Sequence, residues 1–150
     1  MEWIIRFTAV WILLLLLIDW SEFKINVWSG VFSIALQIAM DTVFIHNNFY
    51  KIENPVISIW GSSLFFIIGP VFVIGVLISQ YQPSKRWAQI LYVFLLAVVY
   101  DFEEYLLTVR NELTYTNWNL TSSIIINFIL MMSISWFAIV ILKRGRKKEQ

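Results

Sequence analysis

Five apolar stretches, each close to the length of a bilayer crossing, constrain this chain more than any other feature. A helix needs about 20 mostly apolar residues to cross the hydrocarbon core. Residues 3–18, 27–45, 56–79, 87–107 and 122–142 approach that length, and only short polar connections separate them. A water-soluble domain of this size is roughly 45–50% apolar and about 25% charged. Here 59% of the 150 residues are hydrophobic and 14% charged, with a mean hydropathy of +0.73. So short a chain cannot bury that much apolar surface in one water-soluble core. The expectation is an all-α, five-span transmembrane helical bundle, built as a single integral membrane domain over 1–150. The connections carry turn chemistry at Asn47-Asn48, Asn54-Pro55, Gln82-Pro83-Ser84 and Asn117-Trp118-Asn119. The first stretch reads as a retained span rather than a signal peptide. Glu2 stands against Arg6 at its start, and Asp19-Trp20-Ser21-Glu22 follows it instead of a small-residue cleavage site.

Lysine and arginine set the expected orientation. The basic tail 143–150 holds Lys143, Arg144, Arg146, Lys147 and Lys148. It is expected in the cytoplasm, with the N-terminus outside. Counting back through five spans puts Lys85, Arg86 and Lys24 inside and Arg6, Lys51 and Arg110 outside. Trp20, Trp28 and Trp87 then form an inner aromatic belt, and Trp3, Trp60 and Trp118 an outer one. The third stretch contains Gly61, Gly69, Pro70 and Gly75. Proline removes a backbone donor and crowds the preceding turn, so a helix irregularity is expected near Gly69.

Polar groups inside a membrane need partners or a cavity. Ser29, Ser33, Gln37 and Asp41 recur every four residues and share one helix sector. His46 ends the same stretch. In the fourth stretch Asp101 and Glu104 are three apart and share a face, whereas Glu103 is expected at the polar interface, pointing away. Asn127 lies in the fifth stretch and Arg6 in the first. Arg6, Asp41, His46, Asp101, Glu104, Arg110 and Asn127 all fall in the outer half of the expected bundle. They are the candidate members, with Gln37, of one polar cluster. Three readings of these acids stay open. They line a pocket that takes a proton or cation, or the fourth helix extends past the membrane and leaves its acidic end in headgroups, or Arg6 or Arg110 pairs with Asp41 or Glu104 as a structural bridge.

The absence of cysteine excludes disulfides, thiol catalysis and thiolate metal sites. One histidine among carboxylates is a weak metal signal, and no metal or other cofactor is expected. No Gly-rich phosphate loop and no Ser–His–acid arrangement is present, so an enzyme is not expected, and neither is a nucleic-acid partner.

The second half resembles a family of small, uncharacterised multi-span membrane proteins of spore-forming Gram-positive bacteria. The similar features are the Tyr81-Gln82-Pro83-Ser84 turn, an acidic residue late in the fourth stretch (Glu103 or Glu104), and the Tyr115-Thr116-Asn117-Trp118-Asn119 segment before a last stretch ending in basic residues. The resemblance covers roughly residues 70–143. It implies a bacterial cytoplasmic membrane and the same span layout, with no established activity. Two functions are therefore expected as rivals. One is an accessory, assembly or sensing component that packs with itself or with a membrane-protein partner in the lipid bilayer. The other is a small oligomeric transporter or channel that binds a cation or proton on intramembrane carboxylates. Ser29–Ser33 and Ala35–Ala39 have the spacing of close helix contacts.

Overall fold

The computed structural model describes residues 2–145. The protein is 71% helical, with five helices and short antiparallel strand pairs. In chain order these are α1 (Glu2–Leu17), α2 (Phe23–His46), β1 (Tyr50–Ile52), β2 (Ser58–Ile59), β3 (Ser62–Ser63), α3 (Leu64–Gln80), α4 (Arg86–Val109), β4 (Leu113–Tyr115) and α5 (Leu120–Val140).

The helical expectation holds, but the five-span layout does not. Among the described residues only α2 and α5 are long and apolar enough to cross a membrane. At about 1.5 Å per residue, the 16 residues of α1 reach about 24 Å, short of a core about 30 Å thick. The third stretch loses its first third to a hairpin, so α3 begins only at Leu64. Helix α4 has 24 residues, but Arg86 opens it and Asp101, Glu103 and Glu104 crowd its second half. The arrangement with the N-terminus outside and the C-terminus in the cytoplasm was counted through five crossings and falls with them. Of the basic tail, Arg146, Lys147 and Lys148 lie outside the described residues. Arg144 is not a free end: it donates to Glu22 at 2.5 Å and to the Ser79 carbonyl.

The strands come from chemistry that apolar counting overlooks. Strands β2 and β3 pair Ser58 with Ser63 and Ile59 with Ser62 across a two-residue turn. Trp60 and Gly61 in that turn both have positive φ, the geometry that matches strand twist in a tight hairpin. Strands β1 and β4 pair Tyr50 with Tyr115, Lys51 with Thr114 and Ile52 with Leu113. This second pair straps the loop after α2 to the loop after α4. Bonds from Glu53 N to the Glu112 carbonyl and from Thr116 N to the Phe49 carbonyl extend it.

The expected irregularity in α3 is a π turn over Ile67–Val71 with Pro70 inside it. Below it, α3 packs tightly on α2. Gly75 lies against Ser29, Gly30 and Ser33, and Ser33 donates to the Val71 carbonyl at 2.8 Å. Ser29–Ser33 is thus a close-contact seam, whereas Ala35 and Ala39 are exposed and take no part in it. The core beside this seam includes Val71, Ile78, Val93, Ala97, Met131 and Ile134.

Candidate functional site

One cavity of about 50 Å³ opens at the end of the bundle where α2 and α4 finish and α5 begins. That is room for about three to five waters. Helix α2 contributes Gln37 and Asp41, α4 contributes Tyr100, Glu103, Glu104 and Leu107, and α5 contributes Ser123 and Asn127. Trp3, Phe44, Phe66 and Trp118 add aromatic walls, and Tyr50 enters from the strap.

Asp41 is 1% exposed. Its Oδ1 accepts from Gln37 Nε2 at 2.8 Å and from the Tyr50 hydroxyl at 2.5 Å. Gln37 in turn accepts from the Tyr100 hydroxyl at 3.0 Å. Asp41 Oδ2 has no hydrogen-bond partner among the described residues. The hairpin brings Ser62 beside the Asp41 carboxyl, where its hydroxyl can donate to it.

The second acid is more fully held. Glu104 Oε1 accepts from the Tyr115 hydroxyl at 2.7 Å and from Ser123 Oγ at 2.6 Å, and its Oε2 accepts from Asn127 Nδ2 at 2.5 Å. Asn127 also donates to Asp101 at 2.8 Å. Trp118 Nε1 donates to Ser123 at 2.8 Å. Burial pushes the Tyr115 phenol up to about 12, so it remains a donor at physiological pH. Burial raises Tyr50 as well, and the nearby Asp41 charge adds to the effect.

Gln37, Asp41, Glu104 and Asn127 therefore line one space. Asp101 stands beside that space rather than on its wall, tied in through Asn127. Arg6 reaches the rim differently from either expected bridge. It pairs with Glu103 and, at 3.2 Å, with Glu112. Arg110 pairs with Glu2 at 2.5 Å in an exposed position, and His46 is exposed outside the cavity. Neither arginine pairs with Asp41 or Glu104.

Glu103 was expected to point away, and it lines the cavity. The wall of α4 is the stripe Tyr100, Glu103, Glu104 and Leu107, spaced i, i+3, i+4, i+7 on a regular helix. That spacing is visible in the sequence; centring the face on Asp101 and Glu104 missed it. Tyr50 and Tyr115 carry no such signal, because strand pairing between distant segments brings them in, with Trp118 just beyond β4; Ser62 arrives on the tight β2–β3 hairpin.

Glu112 is the remaining acid of the rim. Burial pushes its carboxyl up, and Arg6 beside it pulls the other way. Among the described residues no three His, Asp or Glu side chains converge as ligands of a metal ion. No protein-family model, curated protein or solved structure matches the chain.

Proposed function

We propose that this is a membrane-embedded, non-enzymatic accessory or sensing component whose cavity receives a small ligand. Helices α2 and α5 have the length and composition to carry it across the bilayer. The outer surface suits that setting: Leu16 is 77% exposed and Ile90 69%, with other large apolar side chains around them, a surface that water disfavours and lipid accepts. The resemblance of residues 70–143 supports a bacterial cytoplasmic membrane.

The observation that carries the reading is a cavity with two carboxylates on a largely apolar wall and the core packed behind it. Leu130 lines its floor, and the close-packed Val71, Ile78, Met131 and Ile134 belong to the core around it. A transporter or channel needs a route past that core, whereas a receptor needs only the mouth. Reaction chemistry finds little support, since the one histidine is exposed and does not line the cavity.

Reconstitution tests the reading. In liposomes the protein alone should give no proton or cation flux, and native membranes should yield a stoichiometric partner on co-purification. Flux by the protein alone, abolished by Asp41→Asn, overturns the proposal in favour of transport.

A further inference from the structure

We propose that the end of the bundle opposite the cavity is a docking face for the headgroups of anionic phospholipids. The inference rests on the membrane embedding proposed above and is independent of the cavity.

Four segments are joined at that end, where α2 and α4 begin and α5 finishes. The turn after α1 is tied to the end of α3. Gln80 Nε2 and the Tyr81 hydroxyl both donate to the Leu17 carbonyl, at 2.8 and 2.7 Å, and Asp19 N donates to Gln80 Oε1 at 2.9 Å. Arg144 adds the chain after α5, through Glu22 and the Ser79 carbonyl. Gly145 packs on the turn before α4, so closely that a Cβ would lie 2.5 Å from the Pro83 carbonyl oxygen. These contacts gather scattered positions of the sequence into one face.

That face carries cations without partners. Lys24, Lys85, Arg86 and Lys143 are all exposed, and none of them takes part in an ion pair among the described residues. The acids beside them are already engaged: Asp19 accepts from Ser21, and Glu22 accepts from Arg144. The cavity end is built the other way, for Arg6, Lys51 and Arg110 are each paired with a glutamate. Helix formation does not call for the unmatched charge either. Lys24, Lys85 and Arg86 stand at the beginnings of α2 and α4, where the helix dipole disfavours a cation. An anionic surface outside the protein complements all four, at about fivefold in affinity for each basic residue near it.

The aromatic side chains select lipid as that surface. Trp20, Trp28 and Trp87 are exposed at the same end. Indole rings collect at the headgroup level of a bilayer, which sets the cations at the depth of the phosphates. A soluble acidic partner would leave those rings in water, whereas a lipid surface takes rings and cations together.

Native mass spectrometry of the full chain in a neutral detergent, titrated with phosphatidylglycerol or with phosphatidylcholine of the same acyl chains, tests the proposal. Phosphatidylglycerol should bind at least about tenfold more tightly. Lys85→Gln combined with Arg86→Gln should cut that preference at least about fivefold. Lys51→Gln combined with Arg110→Gln, an equal loss of charge at the cavity end, should leave it unchanged. Equal binding of the two lipids by the wild type overturns the proposal and leaves the face to an acidic protein partner. A preference undiminished in the Lys85 and Arg86 variant, or one that falls equally in both variants, overturns it as well. Displacement of the lipid by excess glycerol phosphate overturns it in favour of a soluble phosphate ester. The wild-type titrations decide the matter if a variant does not fold. Alkaline carbonate extraction of native membranes reads the embedding separately. Release of the protein overturns the embedding and this proposal together, whereas retained protein without a lipid preference overturns the docking face alone.

Discussion

Replacing Gly75 with alanine probes the seam on which the whole bundle closes. A Cβ at this position would overlap the Ser33 hydroxyl outright. It would also lie 2.8 Å from the Ser29 carbonyl oxygen and 2.9 Å from the Gly30 Cα. A hydroxyl can rotate away; two backbone atoms of a packed helix cannot. Overpacking of this kind costs about 1–3 kcal/mol, and immovable neighbours place Gly75→Ala near the upper end. Alanine returns about 0.5–1 kcal/mol by its better helix propensity. The net destabilisation is about 2 kcal/mol, or a melting shift of about 4–8 °C for a chain of this size. Thermal unfolding in a mild detergent, followed by tryptophan fluorescence, measures it. The double variant Gly75→Ala with Ser33→Ala separates the two obstacles. It removes the hydroxyl overlap and leaves the backbone contacts, so it should recover less than half of the loss. A single variant that melts at or above the wild-type temperature would refute the reasoning, as would full rescue by the double variant.

Arg6→Met should destabilise the protein by about 3–5 kcal/mol, because it leaves Glu103 and Glu112 without a counter-charge; Glu112→Gln should cost under about 1 kcal/mol, since Glu103 keeps the arginine. Denaturant titration in detergent ranks the two, and the reverse order would contradict the pairing. The raised Glu112 carboxyl has a sign that can be checked: the folded state binds its proton more tightly than the unfolded chain does. Its contribution is therefore fully present below the unfolded value of 4.5 and is lost as pH rises from there through the folded pKa. In melts run across that acidic window, Glu112→Gln should show a shallower decline than wild type. Asn119 caps α5 by accepting from Ser122 N at 2.8 Å, so Asn119→Ala should cost about 1 kcal/mol, seen as a small drop in melting temperature.

How far these features can be read in the sequence depends on whether they are local. The Ser29–Ser33–Gln37–Asp41 sector follows from spacing on one helix, and the structure finds its upper half at the cavity and its lower half at the Gly75 seam. Asn127 was legible for the same reason. The hairpin at Trp60-Gly61 was not, because residues 56–79 are apolar enough to pass for one helix while the turn depends on two positive φ angles. The β1–β4 pair was hidden more deeply. Each strand is three residues long, too short to show a period, and their pairing joins segments more than sixty residues apart. Counting apolar residues also treats every long stretch as a crossing, and it cannot see that α1 stops at Leu17 or that acids fill the end of α4.

Tyr50 and Tyr115 are direct cross-strand partners, so their side chains leave the ladder on the same face. One phenol holds Asp41 and the other holds Glu104. The strap is therefore a crossbar with an acid hanging from each end, and its rung has a fixed width. A guest that draws Asp41 off its phenol frees that end of the bar, and the other end cannot shift without disturbing Glu104, Ser123 and the first turn of α5. Occupancy at the cavity mouth would thus reach two loops and two helix ends as a single mechanical event.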